Sequence, residues 1–92
     1  MAKILFYGAF QAIVGQAEIE RVISGSSMLS KVFDELFDTF PDLKQSLFIP
    51  DTESIRPEVL VLHNGKLVRE PAAGVLVKTD DEIIIMHQIS GG

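Results

Sequence analysis

The chain has no cysteine among its 92 residues. That excludes disulfides, thiolate metal sites and a cysteine nucleophile. Histidine is almost as scarce: only His63 and His87 occur, and neither has ligand spacing to another metal-binding residue. Cations are few as well. The eight Lys and Arg stand singly against 13 Asp and Glu, giving a net charge of −5 and a pI near 4.8. No basic stripe exists to neutralise phosphates, so nucleic acid is excluded as a partner and one with a basic face is favoured. No apolar run approaches the roughly 18 residues of a membrane span. The glycines show neither a GxGxxG nor a P-loop spacing. Ser26, Ser27 and Ser30 lack the histidine and acid pattern of a hydrolytic triad, and Asp80-Asp81-Glu82 reads as a solvated turn ahead of a hard-cation site.

What is present is a hydrophobic content of 47% in a length suited to one small core. "MAKILFYGAFQAIVGQA" faintly imitates a secretory leader, but Gly8 and Gln11 interrupt it and only one cation precedes it. It reads better as the start of a cytoplasmic domain. Residues 3–10, with Ile4, Leu5, Phe6 and Tyr7 unbroken, suit a strand covered on both faces, and Ile83 to Met86 repeat that signal. Two such strands belong side by side in mid-sheet, parallel, with the intervening chain as crossover. "AEIERVIS" reads as a more exposed strand returning antiparallel beside the first.

The clearest element is "SSMLSKVFDELFDTFP". Met28, Leu29, Val32, Phe33, Leu36, Phe37 and Phe40 form one helical stripe, with Ser27 as a fair N-cap and Pro41 as the stop. "PDLKQSLF" suits a short helical turn and "IPDTESIRP" a loop. "EVLVLHNGKLV" predicts a hairpin about Asn64-Gly65, because a type I′ turn needs positive φ at both central residues. "KTDDE" turns into the last strand. The expectation is an α+β fold: a mixed four- or five-stranded sheet with one main helix on one face. One helix leaves the other face uncovered, so an apolar docking patch including Phe6 or Leu62 is expected there.

The last residues are "QISGG". A frayed end or an expression scar also finishes this way. The more specific reading is a thin tip whose glycines allow close approach to a partner. Five extended residues reach about 17 Å. An α-carboxyl with a pKa near 3.3–3.7 is an anion at neutral pH, able to attack the α-phosphate of ATP inside an enzyme that supplies cations.

"KILFYGAFQAIVG", the helix before Pro41, "VLVLHNGKLV", "LVKTDDEI" and the final "SGG" together resemble the MoaD/ThiS family of ubiquitin-like sulfur carriers, over nearly the whole chain. The long middle segment looks more like the MoaD-type and archaeal small-modifier branches. The resemblance implies one β-grasp (ubiquitin-like) domain over residues 1–92, with 88–92 as a flexible diglycine tail. It implies adenylation of Gly92 by a ubiquitin-activating-type enzyme using ATP, conversion to a thiocarboxylate with a sulfurtransferase, and no stably bound cofactor or metal. The chain would then be a sulfur-donor subunit or co-substrate, without catalytic side chains of its own. In the MoaD branch the acceptor is a pyranopterin held by the molybdopterin synthase large subunit, in molybdenum cofactor biosynthesis. Gly91 would keep the tip thin, and Ser90 and Ile89 would line the partner's channel. Carriers for thiamin or tRNA thiolation, a covalent protein modifier, and a plain interaction domain are the alternatives. Two departures stand out: His87-Gln88 replaces a common proline pair, and Asp80 replaces a turn glycine.

Overall fold

The computed structural model describes residues 1–71 and 74–88. Its main sheet has five strands in the order β2-β1-β7-β4-β5, from β1 (Ala2–Phe6), β2 (Glu18–Arg21), β4 (Val59–His63), β5 (Lys66–Val68) and β7 (Glu82–His87). β1 and β7 run parallel in the interior of the sheet, and the other pairings are antiparallel. β3 (Ser26–Met28) and β6 (Leu76–Lys78) form a separate antiparallel pair. With helices packed on one face, this is the β-grasp arrangement.

Helix α2 (Leu29–Thr39) supplies the expected stripe: Leu29, Val32, Phe33, Leu36 and Phe37 are all buried. They meet Ile4, Phe6, Val59, Val61, Ile83 and Ile85 from one face of the sheet. Phe33, Phe37 and Phe48 add an aromatic cluster with centroids 5.2–6.0 Å apart, a spacing that rewards edge-to-face contact. Asn64 and Gly65 have φ of 50° and 84°, as the I′ turn requires.

Four expectations are corrected. The first strand ends at Phe6, just before the break expected at Gly8, and the segment after it is a helix that was not expected. Gly8, at φ 61° and ψ −129°, turns the chain into α1 (Ala9–Val14), whose Phe10 and Val14 are buried. α3 (Pro41–Leu47) is a full helix with Pro41 in its first turn where a short helical turn was expected, so among the described residues α1 and α3 accompany the main helix α2. Ser27 does not cap α2, because pairing with β6 draws Ser26–Met28 into strand geometry. Met28 sits at the N-cap without a side-chain bond, and the Leu29 N–H finds the Val75 carbonyl at 2.9 Å. Finally, Phe6 is only 1% exposed and cannot line a docking patch. Strand parity sends Ala2, Ile4 and Phe6 to the core, leaving Lys3 and Leu5 on the other face.

Candidate functional site

β7 pairs with β1 over Glu82–Ile85 and with β4 over Ile83–His87. Its last residue is still paired, His87 opposite Val59, and the next, Gln88, donates its N–H to the Glu58 carbonyl at 2.7 Å. His87 also lays its ring over buried Phe10 of α1, with centroids 4.5 Å apart and planes 15° apart. The strand is thus held to the residue where the QISGG segment begins. Ile89, Ser90, Gly91 and Gly92 lie outside the described residues.

The face of the sheet away from the helices is built by register. Leu5 pairs with Ile84, Ile84 with Leu62, and Leu62 with Leu67, so one apolar row crosses β1, β7, β4 and β5. Met86 opposite Leu60 begins a second row, nearer Gln88. These side chains are half-buried except Leu67, which is 52% exposed. A charged row, Glu20–Lys3–Glu82, borders the apolar one at the opposite end. Leu62 therefore lies where the sequence placed it. Leu5, Leu60, Leu67, Ile84 and Met86 were missed; the alternation in "VLVLH" hints at Leu60, but the row exists only once four strands are in register. An apolar patch rimmed by charge on a small domain has the character of a surface suited to docking a partner.

The two histidines are not brought together. His63 closes the far end of the sheet, its Nε2 2.8 Å from Asp81 Oδ2. The same carboxylate oxygen accepts the Lys78 N–H at 2.8 Å, and Asn64 Oδ1 accepts the Glu82 N–H. Burial opposes ionisation of Asp81, but the Lys78 N–H, the Asn64 side chain and His63 outweigh it and lower its pKa to about 2. This network ties the β4–β5 turn to the start of β7, at the end away from Gln88; it braces the fold. Asp80 instead faces the N-terminal ammonium at 3.6 Å, so the acidic run Asp80-Asp81-Glu82 splays apart. Among the described residues no three His, Asp or Glu side chains gather into a metal site. No described helix is long and apolar enough to cross a membrane.

No family model and no curated protein matches the sequence. Solved structures do match over essentially the whole chain. Small archaeal modifier protein 1 from Haloferax volcanii superposes with a TM-score of 0.78 at 22% identity, covering 99% of this chain and 98% of that one. A chain of the Amycolatopsis orientalis BexX/CysO complex gives 0.75 at 16% identity, with complete coverage of both. A putative molybdopterin converting factor subunit 1 from Pyrococcus furiosus gives 0.74 at 17%, covering 96% and 97%. At these identities the likeness establishes the shared fold.

Proposed function

We propose that the protein is a ubiquitin-like sulfur carrier of the MoaD/ThiS type, activated at the carboxyl group of Gly92, and that it serves as the small subunit of a molybdopterin synthase. The observation that carries this reading is the anchoring of β7: a central strand, held by β4 and the Glu58 carbonyl as far as Gln88 and bordered by an apolar face, immediately precedes Ile89-Ser90-Gly91-Gly92 in the sequence. An activating enzyme docked on Leu62, Ile84 and their neighbours receives the chain end from a rigid origin, which lowers the ordering cost of inserting it into a narrow site. The fold shared with a putative molybdopterin converting factor subunit supports the same reading.

The chemistry needs no side chain of this protein. The Gly92 carboxylate attacks the α-phosphorus of ATP in the activating enzyme, and pyrophosphate leaves. A sulfide-level nucleophile then adds to the acyl carbon and AMP leaves, giving the thiocarboxylate. Glycine at 91 and 92 leaves the carbonyl unshielded by any β-carbon. In the synthase, the thiocarboxylate sulfur forms a C–S bond to the pterin precursor held by the large subunit as the oxygen leaving group on that carbon departs. Water then attacks the acyl carbon and the acyl C–S bond breaks, so the sulfur stays on the pterin and the Gly92 carboxylate returns.

Intact-mass measurement tests this. Protein ending at Gly92, incubated with its activating enzyme, ATP and a sulfur source, is expected to exchange one oxygen for sulfur; persistent unmodified carboxylate with an active enzyme overturns the reading. A second reading, covalent attachment of Gly92 to lysines of other proteins, is favoured by the shared fold with small archaeal modifier protein 1. It predicts a ladder of tagged conjugates on denaturing gels that vanishes when Gly92 is deleted.

A further inference from the structure

β2 is an edge of the sheet, and its register shows which backbone groups are spent. Lys3 and Tyr7 donate their N–H groups to Asp81 and Ile85, towards β7, whereas Phe6 donates to Ala17 on the β2 side. The even residues of β1 therefore face β2, and Ile19 and Arg21 are their bonded partners. Glu18 and Glu20 turn their N–H and C=O outward, and no other described residue bonds them. The edge is open for a further strand.

Beside that edge lies a cleft of about 250 Å³ between the end of β2 and α2, lined by Arg21, Val22, Ile23, Lys31, Val32 and Glu35 among others. Arg21 points to the helix side. Its Nε is buried without a hydrogen-bond partner among the described residues, and its Nη1 reaches Glu35 only at 3.8 Å. A guanidinium with unspent donors in a cleft, next to Lys31, is suited to a carboxylate. Val22 adds an apolar contact, being 75% exposed.

We propose that β2 and this cleft bind an extended segment of a partner protein by strand addition, and that the segment alternates in charge. Directly opposed residues share a face of the sheet. A residue opposite Arg21 therefore points to the cleft and must be acidic, whereas residues opposite Glu18 and Glu20 point to the open face and must be basic. A second copy of this chain is a poor occupant, since antiparallel pairing of β2 with itself about Ile19 sets Glu18 against Glu20 of the copy. The site is separated from β7 by β1 and lies level with the start of β7, about 17 Å along the strand direction from the His87 end, so it is distinct from the end of β7. The inference does not depend on chemistry at Gly92.

The test uses a labelled peptide containing Lys-Val-Lys-Glu-Val, the same peptide in reversed order to allow either strand direction, and a charge-swapped Glu-Val-Glu-Lys-Val control. Fluorescence anisotropy is expected to show saturable binding of one matched order and none of the control. Amide NMR shifts should concentrate on β2 and the first turn of α2. Arg21→Gln should weaken binding about tenfold, the loss of one charge-assisted pair. Glu20→Pro, which removes only an outward N–H, should abolish it; if that variant fails to fold, Arg21→Gln carries the test. Equal binding of the control, shifts centred on Leu5, Ile84 and Leu62, self-association through β2, or no binding of either matched peptide overturns the proposal.

Discussion

Replacing Asp81 by Asn removes one charge while preserving shape and an oxygen that still accepts the Lys78 N–H. The folded protein lowers the pKa of Asp81 from an ordinary 3.8 to about 2, which at about 1.4 kcal/mol per decade of acidity constant is about 2 kcal/mol in favour of the charged form. The side chain is 16% exposed, so partial screening brings the figure to about 1–2 kcal/mol. The sign follows from linkage. A depressed pKa stabilises the fold above the unfolded value, and that contribution disappears as pH falls through the folded one. Asp81→Asn should thus be less stable than the parent by the whole amount at neutral pH, with a thermal midpoint lower by about 4–15 °C. The gap should shrink between about pH 5 and pH 2 and then close. Urea melts followed by circular dichroism across that range measure it, and subtraction of the parent curve cancels the other acidic residues. A gap that is constant with pH, or absent at neutral pH, refutes the argument that the charge of Asp81 braces the turn. His63→Ala should cost less than Asp81→Asn, because the carboxylate keeps its charge and its bonds from the Lys78 N–H and the Asn64 side chain.

Asn64→Ala forces alanine to positive φ and leaves the Glu82 N–H without its acceptor; urea melts should show a loss of about 1–3 kcal/mol, and Asn64→Gly, which keeps the turn, should lose less. Phe33→Ala empties a fully buried site in the aromatic cluster and should cost about 3–5 kcal/mol by the same measurement. His87→Ala uncovers Phe10 and should cost about 0.5–1.5 kcal/mol beyond the lost area, seen as a lower thermal midpoint. Leu67→Glu, on the exposed end of the apolar row, should change stability by less than about 0.5 kcal/mol while slowing adenylation by the activating enzyme about tenfold at limiting concentration; unchanged adenylation would remove that row from the docking surface.

The elements that were legible in the sequence are those whose pattern is long or chemically singular. α2 repeats its stripe over 11 residues, β1 and β7 carry unbroken apolar runs, and Asn-Gly fixes its own turn. α1 was hidden because "AFQAIV" is only six residues long, too short to separate helical from extended periodicity. β3 and β6 have three residues each, and their pairing is a long-range event with no local signature. The confusion of Phe6 with Leu5 has a sharper cause. In a continuous apolar run either parity looks acceptable, and a slip of one residue exchanges the two faces. Only the pairing of Leu5 with Ile84 decides which side chain meets solvent. The same limit hid most of the apolar row, whereas Leu62 was found because it stands next to an identifiable turn.

That parity argument also links the core and the open apolar face through one strand. Ile83 and Ile85 of β7 are fully buried, while Ile84 and Met86 point to the open face. Sliding β7 by one residue would push both pairs to the wrong side, emptying the core and presenting different atoms to a partner at once. Core packing therefore fixes which residues of β7 are offered for docking, and by continuity fixes where Gln88 stands. Stacking of His87 on Phe10 and the Gln88–Glu58 bond extend that control to the strand's last residue. His87-Gln88 fits this arrangement, since a proline at 88 would lack the N–H that Glu58 receives. Stiffness at this point comes from a ring stack and a backbone bond.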